Sequence, residues 1–141
     1  KFAVIYSASM HFDICATRLR GQLAENSKAL SSTHLFPEMN HNEIVGWENP
    51  GKLFKNFIVL ELRDKGMHPR VLRRMDVTAD ILKKTGVKLI EISSRGEGLL
   101  SRIFSLIYIG DFISYYLAIL YCLDPTPVER VTYLKNELAK K

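Results

Sequence analysis

Cysteine and tryptophan are scarce in this chain: 141 residues include two of the first and one of the second. Cys15 and Cys122 have no CxxC partner, so the sequence offers neither a disulfide framework nor a zinc ribbon. Both lie inside apolar helical patterns and read as small core residues of a reducing, cytoplasmic setting. There is no Gly/Ser or Pro linker and no low-complexity tract, which argues against disorder away from the termini. No internal repeat recurs at a period of about 20–50 residues, so a solenoid is excluded. The opening "KFAVIYS" has too short an apolar run, and no cleavage site, for a signal peptide. The chain opens on Lys1 rather than Met, and a piece of something longer is expected.

What is present fits an ordinary globular domain. Hydrophobic residues make up 47% and charged residues 25%, enough for one domain with a sizeable core. The net charge of +5 is concentrated at Arg70, Arg73 and Arg74 and in the tail "LAKK". Neither cluster is interleaved with stacking aromatics, so a solvated helix face is preferred to a nucleic-acid patch. A mildly basic surface also suits a small anionic substrate. The run "IFSLIYIGDFISYYLAILYCL" is long enough to raise a membrane span, but Asp111 in its middle would be costly there. A core helix or one at a subunit interface is the expectation.

Along the chain, apolar runs alternate with helical patterns. "FAVIYS", "THLF", "NFIVLEL" and "VKLIEISS" read as strands. Phe12, Cys15, Leu19 and Leu23 give an amphipathic helix from His11 to about Leu30. A second helix is expected through "NHNEIVGW" with Asn40 as N-cap. A third starts at Pro69 and stops at Gly86, a fourth runs from Leu99 to Leu123, and a last begins near Val128. This rhythm predicts an α/β fold with a parallel sheet covered on both faces. Ligands are then expected outside the carboxyl ends of the strands, among "SASMH", "RDKGMHP" and "SSRGEG".

Most chemistries lack their residues. No HxxxH or HExxH supports a metal, no Walker lysine accompanies "RGEG", and no GxSxG elbow follows a strand. Acid–base chemistry is better served. Arg18, Gln22 and Glu25 are four and three residues apart and share a helix face away from Phe12, Leu19 and Leu23. Glu25 there is either a base at a cleft or an exposed glutamate paired to Arg18 or Lys28. His41 and Glu43 would open the next helix, where a histidine is held neutral and can shuttle a proton; a bystander beside a capping Asn40 fits equally well.

"ENSK", "PEMNHNEIVGW" and "GDFISYYLAILYCLDPTPVERVTYLK" closely resemble the C-terminal sugar-isomerase (SIS) domain of bifunctional phosphoglucose/phosphomannose isomerases, and the resemblance extends over essentially the whole chain. It implies a three-layer αβα fold and isomerisation of glucose or mannose 6-phosphate to fructose 6-phosphate through a cis-enediolate. The family's base is a helical glutamate, followed sixteen residues later by a ring-opening histidine; Glu25 and His41 have that separation. Lys135 in "YLK" matches a lysine that assists ring opening. Arg18, Asn26, Asn40 and Glu43 are implied on the substrate side or as supports of His41, with Asn42 beside them. Leu19 and Arg20 replace an aromatic and a lysine of many relatives. The family uses no cofactor or metal. It works as a dimer in which the histidine reaches the neighbouring subunit, and it carries a preceding SIS domain that grips the phosphate. The isolated chain is expected to be weakly active or inactive. A non-catalytic SIS module that binds a sugar phosphate for regulation is the alternative.

Overall fold

In the computed structural model, which describes residues 1–140, four parallel strands form one sheet in the order β2-β1-β3-β4. β1 (Phe2–Ala8) is central and pairs on both edges, with β2 (Ser31–Phe36) on one side and β3 (Phe57–Arg63) on the other. Its β-branched and aromatic residues Val4, Ile5 and Tyr6 are buried, as a strand with neighbours on every side requires. β4 (Lys88–Ser93) closes the far edge against β3.

The connections alternate between the faces. Right-handed crossovers from β1 to β2, and then from β2 across β1 to β3, move in opposite directions and so occupy opposite faces of the sheet. The first carries α1 (Asp13–Asn26), which packs on β1 and β2 through Cys15, Ala16, Leu19 and Leu23. Burial also pushes the Cys15 thiol up to about 11, leaving it an unreactive core group. α2 (Pro69–Thr85), between β3 and β4, lies on the other face. It starts where expected, with Pro69 in the first turn and the His68 ring accepting from the Arg70 N–H. It stops where expected too, at Gly86 with φ 78°.

Two expectations are corrected. No α-helix runs through "NHNEIVGW": the crossover from Phe36 to Phe57 consists of three 3₁₀ segments, Glu38–Asn40, Glu43–Glu48 and Gly51–Asn56. The cap is Asn42, whose side-chain Oδ1 accepts from the Glu43 N–H at 2.6 Å, and Asn40 lies inside the first segment. α1 is also shorter than expected, because Ser27 and Ala29 both turn their N–H groups back to the Leu23 carbonyl. The sheet is flanked by helices on both faces as expected, although the edge strand is less covered than the inner ones. α3 (Leu99–Leu120) packs on α1, and Lys88, Ile90, Glu91 and Ser93 of the edge strand β4 remain exposed.

α3 has a mean hydropathy and length that would cross a membrane, yet one edge of it is protein core. Ile103, Leu106, Gly110, Ser114 and Ala118, three or four residues apart, form that edge. At Gly110 the helices approach so closely that an added Cβ would lie 3.3 Å from Leu19 Cδ1. α4 (Glu129–Leu138) follows and buries none of its described residues.

The Gly110–Leu19 contact makes a paired prediction. Gly110→Val should destabilise the chain by about 1–3 kcal/mol through overpacking, and Leu19→Ala by about 2–5 kcal/mol through a cavity. The double variant should lose less than the sum in urea denaturation, since each change relieves the other; simple additivity would disprove the contact.

Candidate functional site

The last two turns of α1 are fastened to α3 by polar side chains set in an apolar helix. Arg18 donates to Asp111 from Nε and Nη2, at 3.1 and 2.9 Å, and Gln22 donates to the same carboxylate at 3.0 Å. Burial works against ionisation of Asp111, but these hydrogen bonds outweigh it and hold the carboxyl below its ordinary range. One turn on, Asn26 Nδ2 donates to Ser114 Oγ at 2.9 Å and Ser27 Oγ donates to the Ser114 carbonyl at 2.8 Å. Lys28 then spans the carbonyls of Glu25 and Pro125, which joins the end of α1 to the segment leading into α4. Glu25 stands exposed in the middle of this fastened turn. In the sequence Asp111 and Ser114 speak only against a membrane span; their pairing with α1 was missed, although polar residues three apart in an apolar helix were the available signal.

His41 is carried by the 3₁₀ crossover on the opposite face, and its neighbours are anchored more deeply than it is. Asn40 Nδ2 donates to the buried Thr78 Oγ1 of α2 at 2.8 Å. Asn42 Nδ2 donates to Glu38 at 3.1 Å, and the His41 N–H donates to the Glu38 carbonyl at 2.9 Å. Glu43 turns inward, accepting from the Tyr6 hydroxyl at 2.7 Å, and that hydroxyl accepts from Trp47 Nε1 at 2.7 Å. His34 Nδ1 lies against the other Glu43 oxygen. Burial raises the Tyr6 hydroxyl far above its ordinary range and lowers His34, so both are held neutral. Beside this chain of groups lies a cavity of about 270 Å³ walled by Phe2, Trp47, Phe54 and Phe57. With no α-helix here, the expected helix-dipole effect on His41 has no basis; the ring is simply exposed.

The two acid–base candidates are therefore kept apart. α1 returns from the carboxyl end of β1 to the start of β2, where Ser31 is level with Ala3, so Glu25 lies at the amino end of the sheet. His41 follows the carboxyl end of β2 on the other face, after six residues of strand that span about 20 Å. Lys135 is exposed on α4, which leaves from Glu25's end. The loops at the carboxyl ends of the strands do gather, as expected, but their best-held group is structural. Asp64 accepts from the Gly66 N–H at 2.7 Å, from Arg102 Nε at 2.8 Å and from the Ser94 hydroxyl. Glu61, wholly buried on β3, is raised by desolvation, partly offset by Arg63 donating at 2.7 Å. Neither carboxylate was singled out in the sequence, where each looks like one more charge. Among the described residues, no three His, Cys, Asp or Glu side chains converge as a metal set.

Tyr6→Phe should cost about 1–3 kcal/mol, because it strands both the Glu43 carboxylate and the Trp47 N–H. Trp47 is the sole tryptophan, so its emission should shift in the same variant while the far-ultraviolet circular dichroism stays unchanged. An unaltered spectrum would remove the network. His34 makes a pH prediction. Its folded value lies below its unfolded one, so the unfolded chain binds more protons and stability falls as pH drops below about 6.5. His34→Gln should flatten that acid limb in denaturation midpoints measured between pH 5 and 8; an unchanged slope would contradict it.

Residues 1–138 match the family described as the bacterial phospho-glucose isomerase C-terminal SIS domain. A bifunctional phosphoglucose/phosphomannose isomerase of Caldicellulosiruptor bescii is 44% identical over 99% of this chain and 41% of its own length. The protein of that name from Aquifex aeolicus is 40% identical over 97% of this chain and 42% of its own. The chain thus spans less than half the length of these curated relatives. A glucose-6-phosphate isomerase like protein from Thermus thermophilus has the same fold, with a TM-score of 0.72 at 23% identity over 89% of this chain and 41% of that one. By sequence and by fold, the chain belongs to the family of bacterial phospho-glucose isomerase C-terminal SIS domains.

Proposed function

We propose that residues 1–141 form one SIS domain, the C-terminal half of a two-domain isomerase acting on hexose 6-phosphates. The substrates are glucose or mannose 6-phosphate, and the product is fructose 6-phosphate. The observation that carries the proposal is the placement of Glu25 and His41. Sixteen residues apart, each is exposed beside its own buried polar anchor, and the sheet stands between them. A site that uses both draws them from two copies of the chain, so the active form is a dimer.

In this mechanism Glu25 takes the proton from C2 of the open-chain aldose and returns it to C1. The pair of electrons left behind makes the cis-enediolate, and as the O2 proton passes to O1 the carbonyl moves from C1 to C2 with no external oxidant or cofactor. Asn26, through Ser114, fixes the helix turn that presents the carboxylate. His41 of a second copy and Lys135 move the protons that open the sugar ring. Asn40 and Glu43 hold the His41 loop through Thr78 and Tyr6. Arg18 brings a cation to the same helix face as Glu25, tethered by Asp111. The phosphate is gripped by the preceding domain, so the isolated chain turns over poorly.

The test is made in the full-length protein. Glu25→Gln should lower kcat by about 10²–10⁴-fold with substrate binding retained, whereas a regulatory binding module would be indifferent to it. His41→Ala should be similarly impaired. Mixed and re-associated, the two variants should regain about a quarter of the wild-type activity, since half the dimers then hold one intact site of two. A mixture that stays inactive would exclude the shared site.

A further inference from the structure

We propose that the outer face of α3, with the groove it makes against α1, is the seat of the amino-terminal half that relatives carry ahead of the region matched by this chain. The inference rests on the two-domain reading above and adds the surface. Phe104, Tyr108, Phe112 and Tyr116 follow one another at four-residue spacing down α3 and are 58%, 65%, 41% and 57% exposed. The last three rings pair in sequence, with centroids 4.8 Å apart for Tyr108 and Phe112 and 5.9 Å apart for Phe112 and Tyr116. With Tyr115 and Ile119 beside them, they expose on the order of 600 Å² of apolar surface, at the upper limit for a lone monomer and close to one side of a standard interface.

The chemistry of this face selects its occupant. From Ile103 to Leu123 the one charged residue is Asp111, and Arg18 and Gln22 already satisfy it. Charge depletion of this kind marks the core of a permanent interface. It also removes the electrostatic steering that a free partner would use. A tethered domain needs no steering, because its linker keeps it at millimolar effective concentration. Between α1 and α3 opens a groove of about 620 Å³, walled by Phe104, Ile107 and Tyr108, with the Arg18–Asp111 pair as its polar mark. A bilayer is a poor occupant, since α3 is sealed to α1 at Gly110 and would carry Arg18 and Arg20 inward. A second copy is less suitable too, because it must offer His41 from the other face of its sheet. The unmatched part of the relatives exceeds this chain in length, and it must pack somewhere.

Hydrogen exchange by mass spectrometry tests the seat. Amides of residues 104–120 should exchange at least about tenfold more slowly in the full-length polypeptide than in residues 1–141 alone. Tyr108→Lys/Tyr116→Lys should abolish that difference and split the full-length protein's single melting transition in two, while leaving the midpoint of residues 1–141 unchanged. Equal exchange in the two polypeptides overturns the proposal. So does a variant whose only effect is to disperse a dimer of residues 1–141 in sedimentation, or flotation of the wild-type full-length protein with lipid vesicles. Isomerase turnover is read in parallel. Turnover without α3 protection rejects the seat alone, and protection without turnover rejects the isomerase reading alone.

Discussion

Parallel pairing on both edges of β1 is the constraint from which the rest follows. A strand with parallel neighbours on each side needs one crossover to the left and another to the right, and right-handedness sends them over opposite faces. Sixteen residues of chain, Glu25 to His41, therefore begin on one face at the amino end of the sheet and finish on the other beyond its carboxyl end. No rotamer change or loop motion inside one chain removes a four-stranded sheet from between them. A separation that looks local in sequence becomes an architectural barrier, and the proposed two-copy site rests on it.

Each side of that barrier spends polar groups on position, Ser114 fully buried and Asp111 partly so. Asp111 and Ser114 interrupt an otherwise apolar helix, and the reason is visible in what they hold: Arg18, Gln22, Asn26 and Ser27, which are the turns on either side of Glu25. Tyr6 does the same on the other face, where its hydroxyl accepts from Trp47 and donates to Glu43. Such networks contribute little net stability when complete, but losing one member leaves another unsatisfied in a low dielectric. They fix a geometry more than they strengthen a fold. It is consistent that both sit next to residues assigned to proton transfer rather than in the middle of the core.

The regular elements were legible because local chemistry decides them. Pro69 and Gly86 bound α2 as start and stop signals should, and Phe12, Cys15, Leu19 and Leu23 are the buried face of α1. The stretch after Phe36 was not, because its signals compete. Asn40 and Asn42 both look like caps, and Gly46 and Pro50 disfavour a continuous helix. The inward pull of Glu43 and Trp47 toward Tyr6, which no local pattern records, goes with 3₁₀ turns. The uneven cover of β4 was hidden for a related reason: "VKLIEISS" has the composition of a buried strand, and only the packing of α3 on α1 leaves it at an open edge. Glu25 lies away from the loops at the carboxyl ends of the strands, because it stands at the far end of the helix that follows one of them.

Exposure is the last step. Glu25, His41 and Lys135 all stand open to solvent in this chain, and a carboxylate in bulk water is a poor base for a carbon-bound proton. The desolvation such chemistry requires has to be supplied from outside the domain. Asn26 bonds to Ser114, which is adjacent in sequence to Tyr115 and one turn from Ala118 and Ile119, so the end of α1 that presents Glu25 lies against the uncharged part of α3. Whatever covers those rings also begins to close the space around Glu25. On the proposed reading, the apolar face and the exposed carboxylate are two sides of one requirement: a half-site whose partners supply both its burial and the histidine.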